Sequence, residues 1–352
     1  MSSNESKNNS NQKILSFGEV LLRLASPGYT RLFQNNSLDT TFCGGEANVA
    51  VSLAIFGLDS AFLTKLPDND VGQAAINSMR YFGVDTSKIF KGEGRLGLYY
   101  LEKGASQRAS KVIYDRTFSA ITMATKEEFD WEKLFDDVTW FHWTGIDPAL
   151  SLNLVDICME ACQAAKKLGI TVSCDLNYRK NLWSTEMARS VMTKLMPYVD
   201  VCIANEEDAD KVLGIRATNT NVESGEINNA GYEYVAKDIC SKYGCKYVAI
   251  TLRQSYSASD NGWSAMFYDD DAEKSDFSKE YKIHIIDRVG GGDSFTAGII
   301  YGLVTGMKAK EIIEFATAAS CLKHSIEGDY NRVSVAEVMN LVNGSGNGRV
   351  MR

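Results

Sequence analysis

Apolar positions in this chain switch repeatedly between two spacings. Short runs that alternate or cluster, as strands do, give way to longer stretches in which apolar residues recur at helical spacing. Lys13 to Leu24 alternates and then runs apolar, predicting a first strand, and Leu32 to Phe42 is a further candidate strand. A helix is predicted over Glu46 to Phe56, stopped by Gly57, then a strand over Ser60 to Leu66 and a helix over Asp70 to Phe82, stopped by Gly83. Gly97 to Glu102 and Lys111 to Arg116 read as two strands around a Gly/Ser turn, with no helix between them. From Val138 onward the alternation is regular. It predicts strands over 138–146, 170–176, 199–204, 246–252, 263–268 and 283–287, and helices over 152–168, 187–197, 206–213, 229–243, 293–305, 308–324 and 334–343.

Strands alternating with helices predict an α/β domain over 13–345 with a mostly parallel sheet covered on both faces. Ligands of such sheets bind at the carboxyl ends of the strands. The helix-free strands, within about 20–42 and 95–118, predict a small β lid beside the main domain, a device that excludes water from a site. Residues 1–12, polar and Asn/Ser-rich, predict a disordered tail, and 217–230 a surface excursion.

Composition narrows the function. The 352 residues are 45% hydrophobic, enough for a sizeable core, and 37 Lys plus Arg against 45 Asp plus Glu give a net charge of -8 without any basic run. That disfavours a nucleic-acid partner. No segment reads as a membrane span or secretion signal, so a cytoplasmic protein is expected. Eight cysteines without a C-x-x-C pair predict buried free thiols. His142, His284 and His324 are too far apart for a local metal motif and receive no catalytic role.

The candidate chemistry centres on Asp287-Arg288-Val289-Gly290-Gly291-Gly292-Asp293, at a predicted strand-to-helix junction. Side-chain-free backbone can aim successive N–H groups at one point there, and the helix N-terminus adds positive potential, so the run predicts an anion site. Asp293 would repel a phosphate unless a metal ion intervenes or the carboxylate has a proton to take; as a plain helix cap it would not need three glycines. Gly92-Glu93-Gly94-Arg95-Leu96-Gly97 fits a dinucleotide fingerprint formally but leads into a strand and reads as a turn, and no P-loop occurs. Cys174-Asp175-Leu176-Asn177-Tyr178-Arg179 closes one predicted strand with polar groups, and Asn205-Glu206-Glu207-Asp208 closes the next. Asn205 reads either as a helix cap with Asp208 completing a capping box, or, with an acid beside it, as a holder of hydrated Mg²⁺; both readings stand. Arg108, Arg116 and Arg179 are candidate anion binders, Arg116 favoured by its place at the end of the aromatic strand Ile113-Tyr114-Asp115.

These residues resemble the ribokinase-like (PfkB) carbohydrate kinases from about Ile14 to Asn331. Asp287 to Asp293 is similar to their D-[TR]-x-G-A-G-D signature, with Gly291 where alanine is usual, and Gly44-Gly45-Glu46-Ala47-Asn48 to their early glycine motif. Gly97-Leu98-Tyr99-Tyr100, Val112 to Arg116, Asp175 to Arg179 and Leu322-Lys323-His324 are similar to 2-keto-3-deoxygluconate kinases within that family. The resemblance implies a three-layer α/β/α sandwich and transfer of phosphate from ATP to a sugar acid, with Asp293 as base and the N–H groups of Gly290, Gly291 and Gly292 stabilising the phosphoryl group. It implies a sugar site with Gly44, Gly45, Asn48 and Asn177, Arg179 near the phosphoryl path, and Tyr100, Tyr114 and Arg116 holding the carboxylate. It places the adenine against Thr251, Arg253 and the helix around Ala319 to Lys323, and Mg²⁺ on ATP, supported through water by Asn205 and Asp208 or a neighbouring acid. A homodimer through the lid and a monovalent cation near Asp287 also belong to this expectation. Fructose or another ketose is the nearest rival acceptor. A sensor that lost its chemistry is the rival of a different class, and the intact run to Asp293 argues against it. Replacement of a T-L-G-x-x-G segment by Thr251 to Ser259 leaves the nucleotide preference open.

Overall fold

A computed structural model describes residues 12–205, 207–216 and 229–344. The expected tail, apart from Gln12, together with Glu206 and 217–228 of the surface excursion, lies outside the described residues.

Among the described residues, nine strands make one sheet. Its parallel members run Ser60–Leu63, Lys13–Phe17, Val138–Thr144, Thr171–Asp175, Val201–Asn205 and Tyr247–Ser255. Asp260–Asp269 then turns back antiparallel, carrying Lys274–Phe277 and Tyr281–His284 on its far side. Parallel neighbours need crossover connections, and the crossovers lay helices on both faces. Gly45–Ile55, Gly291–Val304, Ala309–Lys323 and Val335–Val342 share a core with Phe295, Phe315 and Ile299. Leu152–Leu168, Thr185–Leu195 and Asn229–Tyr243 pack on the other face around Phe141, Trp143 and Met192. This is the expected three-layer sandwich. All eight cysteines are free, and no helix of the described residues is long and apolar enough to cross a membrane.

A separate four-stranded sheet, in the order Asp39–Cys43, Leu21–Ala25, Gly97–Glu102 and Lys111–Asp115, forms the lid. The apolar run from Lys13 to Leu24 is therefore two strands in two sheets, the chain leaving the main sheet at Gly18-Glu19. Ser60 to Leu66 divides likewise, because Lys65–Pro67 pairs with Phe90–Gly92 instead. Only the end of Leu32 to Phe42 is extended. The helix expected over 206–213 is a five-residue π turn, Ala209–Leu213, and Lys274–Phe277, a polar strand, was not foreseen.

Candidate active site

The parallel strands end along one edge of the sheet, and their last residues floor a cleft of about 410 Å³ beneath the lid. Glu19, Ile146, Asp175, Asn177 and Asn205 come from four of these ends, and Thr251 lies level with Asn205 in the middle of Tyr247–Ser255. Across from them stands the glycine turn. Gly290 has φ 82°, and a Cβ there would lie 2.0 Å from the carbonyl oxygen of Asp329, so only glycine can follow this path. No side chain caps the helix Gly291–Val304, and the N–H groups of Gly292 and Asp293 have no partner among the described residues. They are the free donors that an anion site needs.

Asp293 lies half-buried at the mouth of this turn. Its Oδ2 accepts a 2.6 Å hydrogen bond from Nδ2 of Asn48, on the first turn of the helix Gly45–Ile55. Burial pushes its carboxyl up to about 6, against the bond from Asn48 and the charge of Arg179. A carboxylate poised this way can take a proton and still be ionised near neutrality. Asp175, whose Oδ1 accepts from the Asn177 N–H, is driven well above the carboxylate range by burial and by the neighbouring Asp208 and Asp293. Asn177 itself holds φ 40°, which turns the chain back into the cleft at the strand end.

On the lid side the geometry corrects one expectation and qualifies another. Tyr100 faces away from the cleft and packs against Phe33; Tyr99, its neighbour on the strand, is the tyrosine that lines the cleft with Tyr114. Successive strand residues point to opposite faces, so only one of the two could serve. Arg116 does line the cleft, over the Tyr114 ring, but its Nε and Nη2 both donate to Oε2 of Glu19, the former at 2.6 Å. The expected carboxylate binder thus carries an internal carboxylate, which the sequence reading missed. Behind this pair, Glu46 accepts a hydrogen bond from the Thr144 hydroxyl, and burial pushes its carboxyl up to about 7. Arg108 pairs with Glu102 at 2.8 Å, away from the cleft.

At the other end, Thr251 and Arg253 line the cleft with Trp263, Arg288 and His324. Lys323 does not; it is fully buried and donates to the Ile326 carbonyl. One step along the chain, His324 takes the place expected for it. Its Nδ1–H donates to the Ser320 carbonyl at 2.7 Å and its ring packs 4.9 Å from that of Trp263. Burial pushes its pKa down to about 4, so the ring is neutral. Gly291 faces the helix carrying His324 rather than the cleft, its carbonyl accepting from the Ser320 hydroxyl. Its N–H points at the Arg288 carbonyl, 3.4 Å away, which leaves Gly292 and Asp293 as the open donors.

Asn205 and Asp208 satisfy the capping reading. Oδ1 of Asn205 accepts from the N–H groups of Glu207 and Asp208, and the Asp208 carboxylate accepts from those of Asn205 and Tyr178. Burial pushes the Asp208 carboxyl up to about 6. Asp208, not Glu207, lines the cleft, and no cluster of three or more metal-ligating side chains occurs among the described residues. Their oxygens are already engaged by backbone, which suits contact with a hydrated ion better than direct ligation.

Comparison with known proteins then decides the family. The model of the pfkB family carbohydrate kinases matches residues 11–334. The chain belongs to the pfkB carbohydrate kinases. Its structure superposes on a 2-dehydro-3-deoxygluconokinase of Thermotoga maritima with TM-score 0.91 and 49% identity, over 95% of this chain and all of the other. A 2-dehydro-3-deoxygalactonokinase of Haloferax volcanii is 30% identical over 94% of this chain and 97% of its own length. A putative ribokinase II of E. coli solved with ATP and Mg²⁺ shares the fold at TM-score 0.78 and 18% identity, over 94% of this chain and 99% of that one. In this pfkB kinase the glycine turn and Asp293 lie in a cleft roofed by the small sheet.

Proposed function

We propose that this kinase transfers the γ-phosphoryl group of ATP to the terminal hydroxyl of 2-keto-3-deoxygluconate (2-dehydro-3-deoxygluconate), giving the 6-phosphate and ADP. The observation that carries the reading is the Asn48-held carboxylate of Asp293 beside the two open N–H groups of the glycine turn. Asp293 takes the hydroxyl proton as the oxygen bonds to phosphorus and the bond to the leaving ADP oxygen breaks. The N–H groups of Gly292 and Asp293, at the helix N-terminus, stabilise charge on the transferring group. Mg²⁺ would neutralise phosphate charge, with Asn205 and Asp208 reaching it through water. Thr251, Arg253 and Trp263 form the nucleotide end.

Gly44, Gly45, Asn48, Asn177 and Tyr114 shape the acceptor end, Tyr99 replacing Tyr100 among them. Arg116, shared with Glu19, and Arg179, whose guanidinium donates to the Tyr178 carbonyl, are the cations that would meet the acid's carboxylate. The names of the Thermotoga and Haloferax relatives support a 2-keto-3-deoxy sugar acid and differ in sugar configuration, so both acids belong in the test. ATP consumption should rise with them and not with fructose. Good turnover of fructose and none of either acid would sink the proposal.

A monovalent cation at Asp287 would compete with Arg23, Val289 and Gly328, which already donate to that carboxylate. The proposed dimer through the lid is supported by Lys111–Asp115, an edge strand exposed along its whole length. A monomer in sedimentation at assay concentration would remove it.

The raised pKa of Asp293 predicts the pH profile. As the base it must be ionised, so kcat/KM should climb with pH to a plateau, with a limb near pH 6 that reflects the burial. A profile already flat from pH 4.5 upward would contradict this placement of the base.

A further inference from the structure

The lid meets the glycine turn through buried ions as well as apolar packing. Arg23 lies in the middle of the lid strand Leu21–Ala25, with a side chain only 4% exposed. Its Nη2 donates to Oδ2 of Asp287 at 2.5 Å and its Nη1 to Oδ1 of Asp329 at 2.6 Å. Tyr99 is its cross-strand partner on Gly97–Glu102, and the Tyr99 hydroxyl donates to the other oxygen of Asp329 at 2.6 Å. Both carboxylates belong to the glycine turn or its support. Asp287 opens the turn and accepts from the N–H groups of Val289 and Gly328, and the backbone of Asp329 is the surface against which Gly290 fits. Val289, inside the turn, packs into the lid's own apolar cluster of Leu21, Ala25, Cys43, Tyr99 and Leu101.

We infer that Arg23, with Tyr99, is a positioning residue for phosphoryl transfer: through Asp287 and Asp329 it holds the glycine turn so that the Gly292 and Asp293 N–H groups face the cleft. The lid's central strands and the turn are then one block. Swinging the lid as a whole would tear these charges from buried partners. Arg23 touches no reacting atom, and its effect passes through the two carboxylates.

The inference rests on the proposed kinase reaction for its kinetic readout and has a second readout that does not. Arg23→Lys replaces the planar fork, which puts a separate nitrogen on each carboxylate, with a shorter point charge that cannot reproduce both contacts in this geometry. It is expected to lower kcat by about 100-fold, as a misplaced turn would, with KM for the acceptor within about threefold of the parent, at a temperature well below the variant's melting point. Amide hydrogen exchange at Val289, Gly328 and Ser294, whose N–H groups are bonded to the Asp287 carboxylate and the Gly290 carbonyl, should quicken at least ~10-fold in the same variant, as local opening of the turn allows. Tyr99→Phe, which removes one hydrogen bond and keeps the ring, covers the case that Arg23→Lys does not fold; a kcat loss of about tenfold is expected. A lower melting temperature with kcat within about twofold and unchanged exchange at the turn would mean a purely structural pair and overturn the inference. So would a rise in acceptor KM with kcat intact in Arg23→Lys, since Arg23 does not line the cleft. If the parent phosphorylates neither acid, the functional proposal fails, and the exchange data still decide the role of Arg23.

Discussion

Asp293→Asn is expected to lower kcat by about 10³-fold or more, the upper part of the range for loss of a general base, while leaving ATP affinity largely intact. Asparagine fills the same volume and keeps an oxygen for Asn48, so the turn should hold its shape, but the amide cannot take the acceptor's proton. Stability should move the other way. Burial raises the folded pKa of Asp293 to about 6, above the ordinary carboxylate value. Between the unfolded and folded pKa the native state binds more protons, so stability falls as pH rises through that window and stays lower above it. Asp293→Asn removes this cost, and its melting temperature at pH 8 should exceed the parent's. Near-parental kcat in the variant would remove Asp293 from the mechanism.

Gly291→Ala is the second large effect. The resemblance makes Gly291 a departure, since alanine is usual there. The structure gives a reason for it. A Cβ on Gly291 would lie 2.5 Å from Cε1 and 2.7 Å from Nε2 of His324. The ring has little room to yield, being tied to the Ser320 carbonyl and packed on Trp263. Restoring the alanine should therefore cost about 1–3 kcal/mol, the usual price of overpacking, and shift the turn enough to lower kcat about 10–100-fold. Gly291→Ala combined with His324→Ala should recover most of the loss in melting temperature. Gly291→Ala behaving like the parent would contradict the packing argument.

The layers of the fold are legible in the sequence because each long helix carries its own period and its own stop. Leu152–Leu168 and Asn229–Tyr243 fall where the apolar spacing puts them. Boundaries between sheets are not legible. Lys13–Phe17 and Leu21–Ala25 read as one apolar strand, and nothing local says that the chain changes sheet at Gly18-Glu19. The strand Lys274–Phe277 has Phe277 as its single apolar residue, too little to set a period.

The glycine turn and Asp293 stand out because three consecutive glycines before a carboxylate have few other uses. Their partners are legible only in space. Glu19 lies 97 residues from Arg116, and Arg23 lies 264 from Asp287. The period of a strand shows that Tyr99 and Tyr100 face opposite ways but not which faces the cleft. Lys323 and His324 pose the same problem on a helix, where one step rotates the side chain by about 100°; reading the positive charge as the binder selected the buried one. A signal for Tyr99 was available in its pairing with Arg23 across the lid, had the strand register been known.

On the proposed reaction, Asp293 and the glycine turn direct phosphate onto the terminal hydroxyl of a sugar acid. Phosphorus NMR of the parent protein with ATP, Mg²⁺ and 2-keto-3-deoxygluconate tests it directly. A single new phosphate monoester coupled to the C6 protons is expected, appearing as the γ-phosphate signal declines and absent with Asp293→Asn. An ester on another carbon, or a signal that Asp293→Asn leaves unchanged, would contradict it.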